Sequence, residues 1–353
     1  VSPVRERYFN GSEWTGWPVP VGWLDPWAGG DNIGILEPIG QGEVGAFGQT
    51  TRNVGAGLYE DRAFPTEELV VQTGVTYNAT NKRFTISVPI HNMVIRGFVT
   101  LTATGELWNC HVAGPTTEYT GGYLAMVEGP SSGTALGKVY WTTIAPIVAS
   151  AYYDGVGRGI EIWYSDIYET CDGVRGYHTN AAGARIHSHA CDYHHSTQFR
   201  PDYANGTGRP ETHNDTGVQC QGNIGTDDDI SFDGCRVNAR HSLSKGTLPP
   251  TRTQIAALML TPQSGVGLAV HMRFDDGWLY GGMYCVNAGG NNLGDYGGSS
   301  LTIRNTRFER PGTDMFGDGR APDRALAVDS SLTLVHSGNT YIDNGAPVVP
   351  QLS

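Results

Sequence analysis

Several things are scarce in this chain, and each scarcity removes a class of protein. Only 16% of the 353 residues are charged, against roughly 25% in an average soluble domain. Lys occurs three times (Lys82, Lys138, Lys245), so Arg supplies the rest of the 23 basic residues. With a net charge of -12 no broad basic face is available to hold phosphates, which sets a nucleic-acid partner aside. The same acidity also serves plain solubility. No segment reaches the 18 or more consecutive apolar residues of a membrane-crossing helix, so no membrane insertion is expected. The opening residues, Val1-Ser-Pro-Val-Arg-Glu-Arg, contain no apolar h-region, and no signal peptide is read there. None of Cys110, Cys171, Cys191, Cys220, Cys235 and Cys285 forms a C-x-x-C pair, which weakens a zinc-ribbon reading. Low charge also sits badly with helical bundles, which are built on Ala, Glu, Lys and Leu.

What the chain does have is glycine, 49 residues, about twice the usual share, together with Thr, Ser and Asn. That mixture suits many short strands joined by tight turns. The first 35 residues stand apart. Trp14, Trp17, Trp23 and Trp27 are interleaved there with Pro18, Pro20, Pro26 and several Gly. Aromatics that dense must bury against something, either the end of the core, as a cap, or another protein, as an attachment segment.

The body carries a repeat. Four segments place an apolar residue, a small or polar residue three later, and an apolar residue two beyond that: Leu107-Trp-Asn-Cys110-His-Val112, Ile162-Trp-Tyr-Ser165-Asp-Ile167, Phe232-Asp-Gly-Cys235-Arg-Val237 and Ile303-Arg-Asn-Thr306-Arg-Phe308. Ile160, Ile230 and Leu301 extend three of them backwards by two, the period of a strand with one face inward. Looser copies run through Ile186…Cys191-Asp-Tyr193 and Leu334…Asn339-Thr-Tyr341. The small residue marks a bend and the next apolar residue starts a new strand. Cys110, Ser165, Cys191, Cys235 and Thr306 then fall at equivalent corners, and these Cys read as stacked core residues in preference to disulfides or ligands. The distances between copies fit a coil of 23 to 24 residues. The expected fold is therefore all-β, a parallel β-helix solenoid, with residues 1–60 as an attachment or capping region and residues 61–350 as the coil. Polar, Gly- and Pro-broken stretches near 194–217, 241–254 and 287–299 read as long loops leaving it.

The run Thr212-His-Asn-Asp-Thr-Gly-Val-Gln-Cys-Gln-Gly222, followed by Ile230-Ser-Phe-Asp-Gly-Cys-Arg-Val237, resembles the right-handed, pectin-lyase-like β-helix superfamily. More narrowly, it resembles the minor tail proteins of long-tailed phages of actinobacteria. The opening Arg7-Tyr-Phe-Asn-Gly-Ser-Glu-Trp14 and the closing Leu334…Ser337-Gly-Asn-Thr-Tyr-Ile-Asp-Asn-Gly-Ala-Pro-Val348 are similar to phrases of the same family. The departure from it is Thr216-Gly217, where one residue is expected before the apolar position. The Arg-over-Lys bias, and a Val1 compatible with a GTG start, fit a GC-rich host. The resemblance implies a virion tail spike or fibre component, joined to other tail proteins through its N-terminal region, touching a host cell-surface glycan and assembling as a homotrimer. The alternative it implies is a β-helix polysaccharide lyase or glycoside hydrolase. The superfamily's paired-Asp and Gly-His-Gly phrases are not present.

Candidate chemistry gathers where His is dense. Six of 11 His lie between 178 and 213, among several acids. His213, Asp215 and Asp192 are the candidate acid, base or catalytic groups. His189, His194, His195, Asp202, Glu211 and Gln219 are candidate binding residues, with Trp278 and Tyr280 as aromatic platforms for sugar rings. Tyr152-Tyr153, Trp163-Tyr164 and Tyr284 are further aromatics of that kind. Three readings stay open for the His and Asp set: loop-holding hydrogen bonds, a metal site, or a glycan-cleaving site. No cofactor is expected. A divalent cation such as Ca2+ remains compatible with the acids, Asp227-Asp228-Asp229 included, although that run also reads as a solvated turn.

Overall fold

The computed structural model describes residues 8–9 and 14–15, most of 65–177, and 185–199, 217–221, 230–245, 256–261, 269–289, 296–312 and 322–352, apart from isolated positions and 132–134 within those ranges. The chain divides into two compact units, Val1–Phe64 and Pro65–Ser353. In the first, Tyr8–Phe9 pairs antiparallel with Trp14–Thr15.

The second unit is built from strands, and no helix occurs among the described residues. All but two of its strands lie in three long sheets. The chain visits them in fixed rotation: Arg83–Ile86 in sheet 1, Pro89–His91 in sheet 2, Met93–Ile95 in sheet 3, then Phe98–Leu101 back in sheet 1. Nine such circuits run to Thr340–Tyr341, and Gln351–Leu352 adds a further strand to sheet 1. Neighbouring circuits pair parallel, as at Ile160↔Ile186 and Val174↔Val218. One pairing in sheet 1 is antiparallel: Val75–Asn78 lies against Arg83–Ile86 and covers an edge that would otherwise offer unpaired backbone groups.

Most strands of the three sheets bury one or two apolar residues, and the same register position repeats from circuit to circuit. Sheet 1 stacks Val99, Val127, Val156, Val174, Val218, Leu258, Val286 and Leu326. Sheet 3 stacks Ile95, Val112, Ile144, Ile167, Tyr193, Val237, Leu279 and Phe308. All of these are buried and belong to one continuous core. Burial of this kind contributes about 1.5–3 kcal/mol per side chain.

The bend between sheet 2 and sheet 3 explains the sequence repeat. One residue there adopts positive φ in every circuit: Asn92, Asn109, Trp141, Tyr164, Ala190, Gly234, Asp276, Asn305 and Gly338. The residue after it is small in eight of the nine circuits, Met93 being the exception. At Thr142, Ser165, Cys191 and Asn339 its side chain accepts a hydrogen bond from the backbone of the circuit before. The Thr142 N–H donates to Ser165 Oγ at 3.1 Å, the Ser165 N–H to Cys191 Sγ at 3.5 Å, and the Thr306 N–H to Asn339 Oδ1 at 3.0 Å. A small side chain with an acceptor atom thus satisfies a buried backbone donor. Cys, Ser, Thr and Asn all qualify, which is why they interchange in the repeat. Cys110, Ser165, Cys191, Cys235 and Thr306 do share this corner, and all six cysteines are buried free thiols.

The uniform period does not survive. Circuits range from 15 residues, between the paired Arg83 and Phe98, to 44, between the paired Asp192 and Arg236. Ile186 and Phe232 are separated by one circuit, because Ser188 pairs directly with Phe232. The expected loops also differ in part. Ser196–Phe199 and His241–Lys245, both inside stretches read as loops, are strands paired parallel to each other in a separate two-stranded sheet. Polar composition hid them, since ladder hydrogen bonding uses the backbone alone. Residues 287 and 288 still belong to the strand Tyr284–Ala288.

Glycine matters most where sheet 3 hands over to sheet 1. A Cβ on Gly173 would lie 2.5 Å from the Gly217 carbonyl oxygen and 3.1 Å from Tyr193 Cδ1. Gly155 and Gly217 are equally tight against Ile167 and Val237. This column of glycines leaves room for the large inward residues of sheet 3.

Candidate functional site

The outward face of sheet 2 carries a column of rings. In register these are His91, Trp108, Tyr140, Trp163 and His189. Trp108 stacks on Tyr140 at 4.0 Å and 24°, Trp163 on His189 at 3.9 Å and 17°, and His91 on Trp108 at 5.9 Å and 18°. Next to this column, at the positive-φ bend, Trp141 stacks on Tyr164 at 5.9 Å and 13°. His91 is exposed and the other six are partly exposed. Because the rings stack at the spacing of the strands, their faces point along the sheet and their edges point outward. The strip therefore presents apolar edges and polar ring atoms together. Trp108 Nε1 donates to Glu106 Oε2 at 2.8 Å. Burial, with Glu161 and Glu106 nearby, pushes the Tyr140 hydroxyl up to about 12, so it stays a donor.

Trp141 and Tyr164 are costly where they stand. Positive φ suits Gly, Asn and Asp, and a bulky side chain there costs about 1–3 kcal/mol. Six of the other seven bends use Asn, Asp or Gly, and one uses Ala.

The same face continues into a polar cluster. His189 is followed in register by Asp233, Asp275 and Arg304. Arg304 grips Asp275 with Nε to Oδ1 at 3.0 Å and Nη2 to Oδ2 at 2.7 Å. Arg273 Nη1 lies 3.8 Å from Asp275 Oδ2, and His189 Nδ1 lies 3.8 Å from Asp233 Oδ2. At the bend, Asn305 Nδ2 donates to Asp276 Oδ1 at 3.0 Å. Burial raises the Asp276 carboxyl to about 6, with the charges of Asp233 and Asp275 adding to burial, against the Asn305 hydrogen bond and Arg304.

A second cluster sits on the outward face of sheet 3 and is buried. Asp166, Asp192 and Arg236 are register neighbours, and His194 lies two residues beyond Asp192. His194 Nε2 is 2.7 Å from Asp166 Oδ1 and 3.9 Å from Asp192 Oδ2. Arg236 holds both Asp192 oxygens, Nε to Oδ1 at 2.8 Å and Nη2 to Oδ2. Burial pulls the Arg236 guanidinium down, but Asp192, Tyr280 and Asp166 outweigh it and hold it above its ordinary value. Ligand atoms of Asp166, Asp192 and His194 lie within 4.8 Å of one another, the geometry of a divalent-ion set. The guanidinium already in place on Asp192 makes this an ion-pair network.

The sequence candidates distribute as follows. Asp192, His194, Trp278 and Tyr280 come together on sheet 3: Arg236 pairs with Trp278 and Asn238 with Tyr280. All four are buried, Trp278 and Tyr280 at 5% and 1% exposure. Tyr152, Tyr153 and Tyr284 are buried too. His189 lies on sheet 2, away from Asp192, at the end of the ring column. Gln219 lies on sheet 1 between Arg175 and Met259. His195, Asp202, Glu211, His213, Asp215 and the run 227–229 lie outside the described residues. His91, Trp108, Tyr140 and Trp141 were not singled out from the sequence. Their signal was the position between the inward apolar residue and the corner, as in Val139-Tyr140-Trp141-Thr142, a copy of the repeat that went unread. Compared with protein-family models, curated proteins and solved structures, the chain matches none.

Proposed function

We propose that the second unit is a right-handed parallel β-helix, and that the protein is a virion minor tail component that binds a host cell-surface glycan along the outward face of sheet 2. The observation that carries the binding reading is the strained pair Trp141 and Tyr164 beside the ring column. Backbone strain at two successive bends, spent on partly exposed aromatic rings where the other bends use small residues, supports a binding surface. Ring edges, ring donors and carboxylates in one strip match sugars, whose C–H patches alternate with hydroxyls. The tail assignment rests on the sequence resemblance, and the rotation of strands through three parallel sheets supports the fold that it implies. Under this reading, residues 1–60 attach the protein to other tail proteins, and the protein forms a homotrimer.

Binding is tested with an array of actinobacterial cell-wall and capsular glycans and the intact protein. Retention of one glycan class, lost in Trp141→Asn and Tyr164→Asn, supports it. No retention of any class, or retention unaffected by both variants, overturns it. Solution mass tests the assembly, and a clean monomer near 38 kDa at micromolar concentration counts against the trimer.

The raised Asp276 carboxyl on the same strip favours one alternative, cleavage of the glycan. A carboxyl near 6 with a second carboxylate nearby is the requirement for general acid–base hydrolysis. New reducing ends formed by the wild type and absent with Asp276→Asn would move the assignment to a glycoside hydrolase.

A further inference from the structure

We infer that Cys191 and Cys235 are a site of reversible covalent modification: under oxidising conditions they join as a disulfide that clamps the root of the longest circuit. The pairing comes from register. Asp192 is the Cα partner of Arg236 on sheet 3. The residue before each, Cys191 and Cys235, therefore stands one strand spacing from the other in the corner column. The Arg236 N–H donates to the Cys191 carbonyl at 2.9 Å and fixes that step of the ladder. Neighbouring strands lie about 4.7–4.9 Å apart, inside the range of roughly 4.4–6.8 Å between Cα atoms that a disulfide spans.

The sulfurs converge as well. Both side chains are 0% exposed and belong to one core. Cys191 Sγ lies 3.4 Å from the His189 carbonyl oxygen. Cys235 Sγ lies 3.4 Å from the Ser188 carbonyl oxygen and 3.3 Å from Ser188 Oγ. The two thiols are within hydrogen-bond reach of each other. No other two of the six cysteines stand in register. Cys110 has Met93 and Thr142 beside it at its corner. Cys220 pairs with Gly176 and Leu260, and Cys285 lies between Ala257 and Ala325. Cys171 lies outside the strands.

The place of the pair gives the link its effect. It would close the circuit from Asp192 to Arg236, 44 residues long, from which the outlying strand Ser196–Phe199 departs. A covalent link between the ends of a loop removes freedom from the unfolded chain, and the effect grows with the length closed. The chemistry is thiol–disulfide exchange with a small-molecule disulfide as oxidant. One protein thiolate attacks a reagent sulfur, expelling the first reagent thiol and leaving a mixed disulfide. The second protein thiolate then attacks the protein sulfur of that mixed disulfide and expels the second reagent thiol. Two protein thiols are oxidised to one disulfide, and the reagent disulfide is reduced to two thiols. Full burial means that the reagent reaches the sulfurs only when the circuit opens. The inference is independent of the glycan reading, since neither cysteine reaches the outward face of sheet 2.

The test incubates the full chain with hydroxyethyl disulfide in sub-denaturing urea, then blocks and counts its thiols in full denaturant and maps its peptides by mass. Four of the six thiols are expected to remain free, with one cross-linked peptide pair, lighter by two hydrogens, joining Cys191 to Cys235. The oxidised form is expected to show a higher urea midpoint than the reduced form, and dithiothreitol is expected to reverse the shift. Cys235→Ser keeps a small acceptor at the corner and should retain five free thiols with no shift on oxidation. Six free thiols in the treated wild type, a disulfide joining any other two cysteines, or an oxidised form whose midpoint is unchanged or lowered would each overturn the inference. Thiol count and peptide map are read on the wild type, so a failure of Cys235→Ser to fold leaves them decisive.

Discussion

Arg236→Met isolates the energetics of the buried network. Arg236 contacts both oxygens of Asp192, which is 1% exposed. Methionine keeps much of the stem volume and removes the cation that both Asp192 oxygens contact, weakening the pairing of a buried carboxylate that also lies 3.9 Å from His194. Breaking a buried pair on one side costs about 3–5 kcal/mol. The unit Pro65–Ser353 has roughly 290 residues, and at ~2.1 cal/mol/K per residue its unfolding entropy is about 0.6 kcal/mol/K. The thermal midpoint should therefore fall by about 5–8 °C. Far-UV circular dichroism at two heating rates reads this, since scan-rate dependence reveals irreversible unfolding. Asp192→Leu added to Arg236→Met removes the stranded charge and should recover most of the loss, because an apolar pair of similar volume replaces an ion pair at little net cost. A fall under about 2 °C for the single variant, or no recovery in the double, would refute the view that these charges stabilise each other in a dry site.

Three further outcomes follow from the geometry. Tyr164→Asn should change stability by less than about 1 kcal/mol, because relief of strain at positive φ offsets the lost stacking on Trp141, while glycan retention falls at least tenfold; a melt and a binding isotherm on one sample separate the two. Gly173→Ala should cost about 1–3 kcal/mol, since its Cβ meets the Gly217 carbonyl, a backbone atom that cannot swing aside; an unchanged midpoint would show that the circuits can slide apart. Asp276→Asn should stabilise the protein at pH 7–8 by about 1 kcal/mol and leave it unchanged near pH 3. The raised carboxyl favours folding only while protonated, a contribution lost as pH rises through about 6, and partial exposure reduces the full effect of the shift. Urea midpoints at both pH values check it.

The corner between sheets 2 and 3 was legible in the sequence because it is a local device. One residue at positive φ follows every sheet 2 strand and a small acceptor follows it in most circuits, and Leu107-Trp-Asn-Cys110 or Ile303-Arg-Asn-Thr306 states that in four letters. The number of circuits was not legible. Gly277 stands where an acceptor was expected, so the circuit through Trp278 looked like spacing between copies, and Ser188, in register with Ile162 and Phe232, made the copy through Cys191 look two residues longer than the rest. The site was only half legible for a related reason. Trp163 and Tyr164 were visible as aromatics, but so were Tyr153 and Tyr280, and aromatic identity says nothing about face. Only register separates them: Trp163 follows an inward Ile162, whereas Tyr153 and Tyr280 are buried by the chain around them. Asp192 and His194 were both candidates, one as a catalytic group and the other as a binding residue, but Asp166 and Arg236, one circuit to either side, needed the ladder to bring them in.

The two kinds of corner suggest why function would gather on one side. In each of the last eight circuits two residues separate the sheet 2 strand from the sheet 3 strand. Every ladder hydrogen bond there is kept, from Asn109 N–H to the Tyr140 carbonyl through Asn305 N–H to the Ser337 carbonyl. All variation in circuit length falls at the other two corners. A surface that must hold rings in register across five circuits needs the invariant corner, and Trp108, Tyr140, Trp141, Trp163, Tyr164 and His189 all lie within three residues of it. Variation in length is taken up at the other two corners, and Ser196–Phe199 leaves from one of those. The fold thus separates display on sheet 2 from chain of variable length beyond sheet 3, where the ion-pair network stands. A ligand that required both would have to bridge two sheets, so glycan binding on sheet 2 should be indifferent to Asp166→Asn on sheet 3.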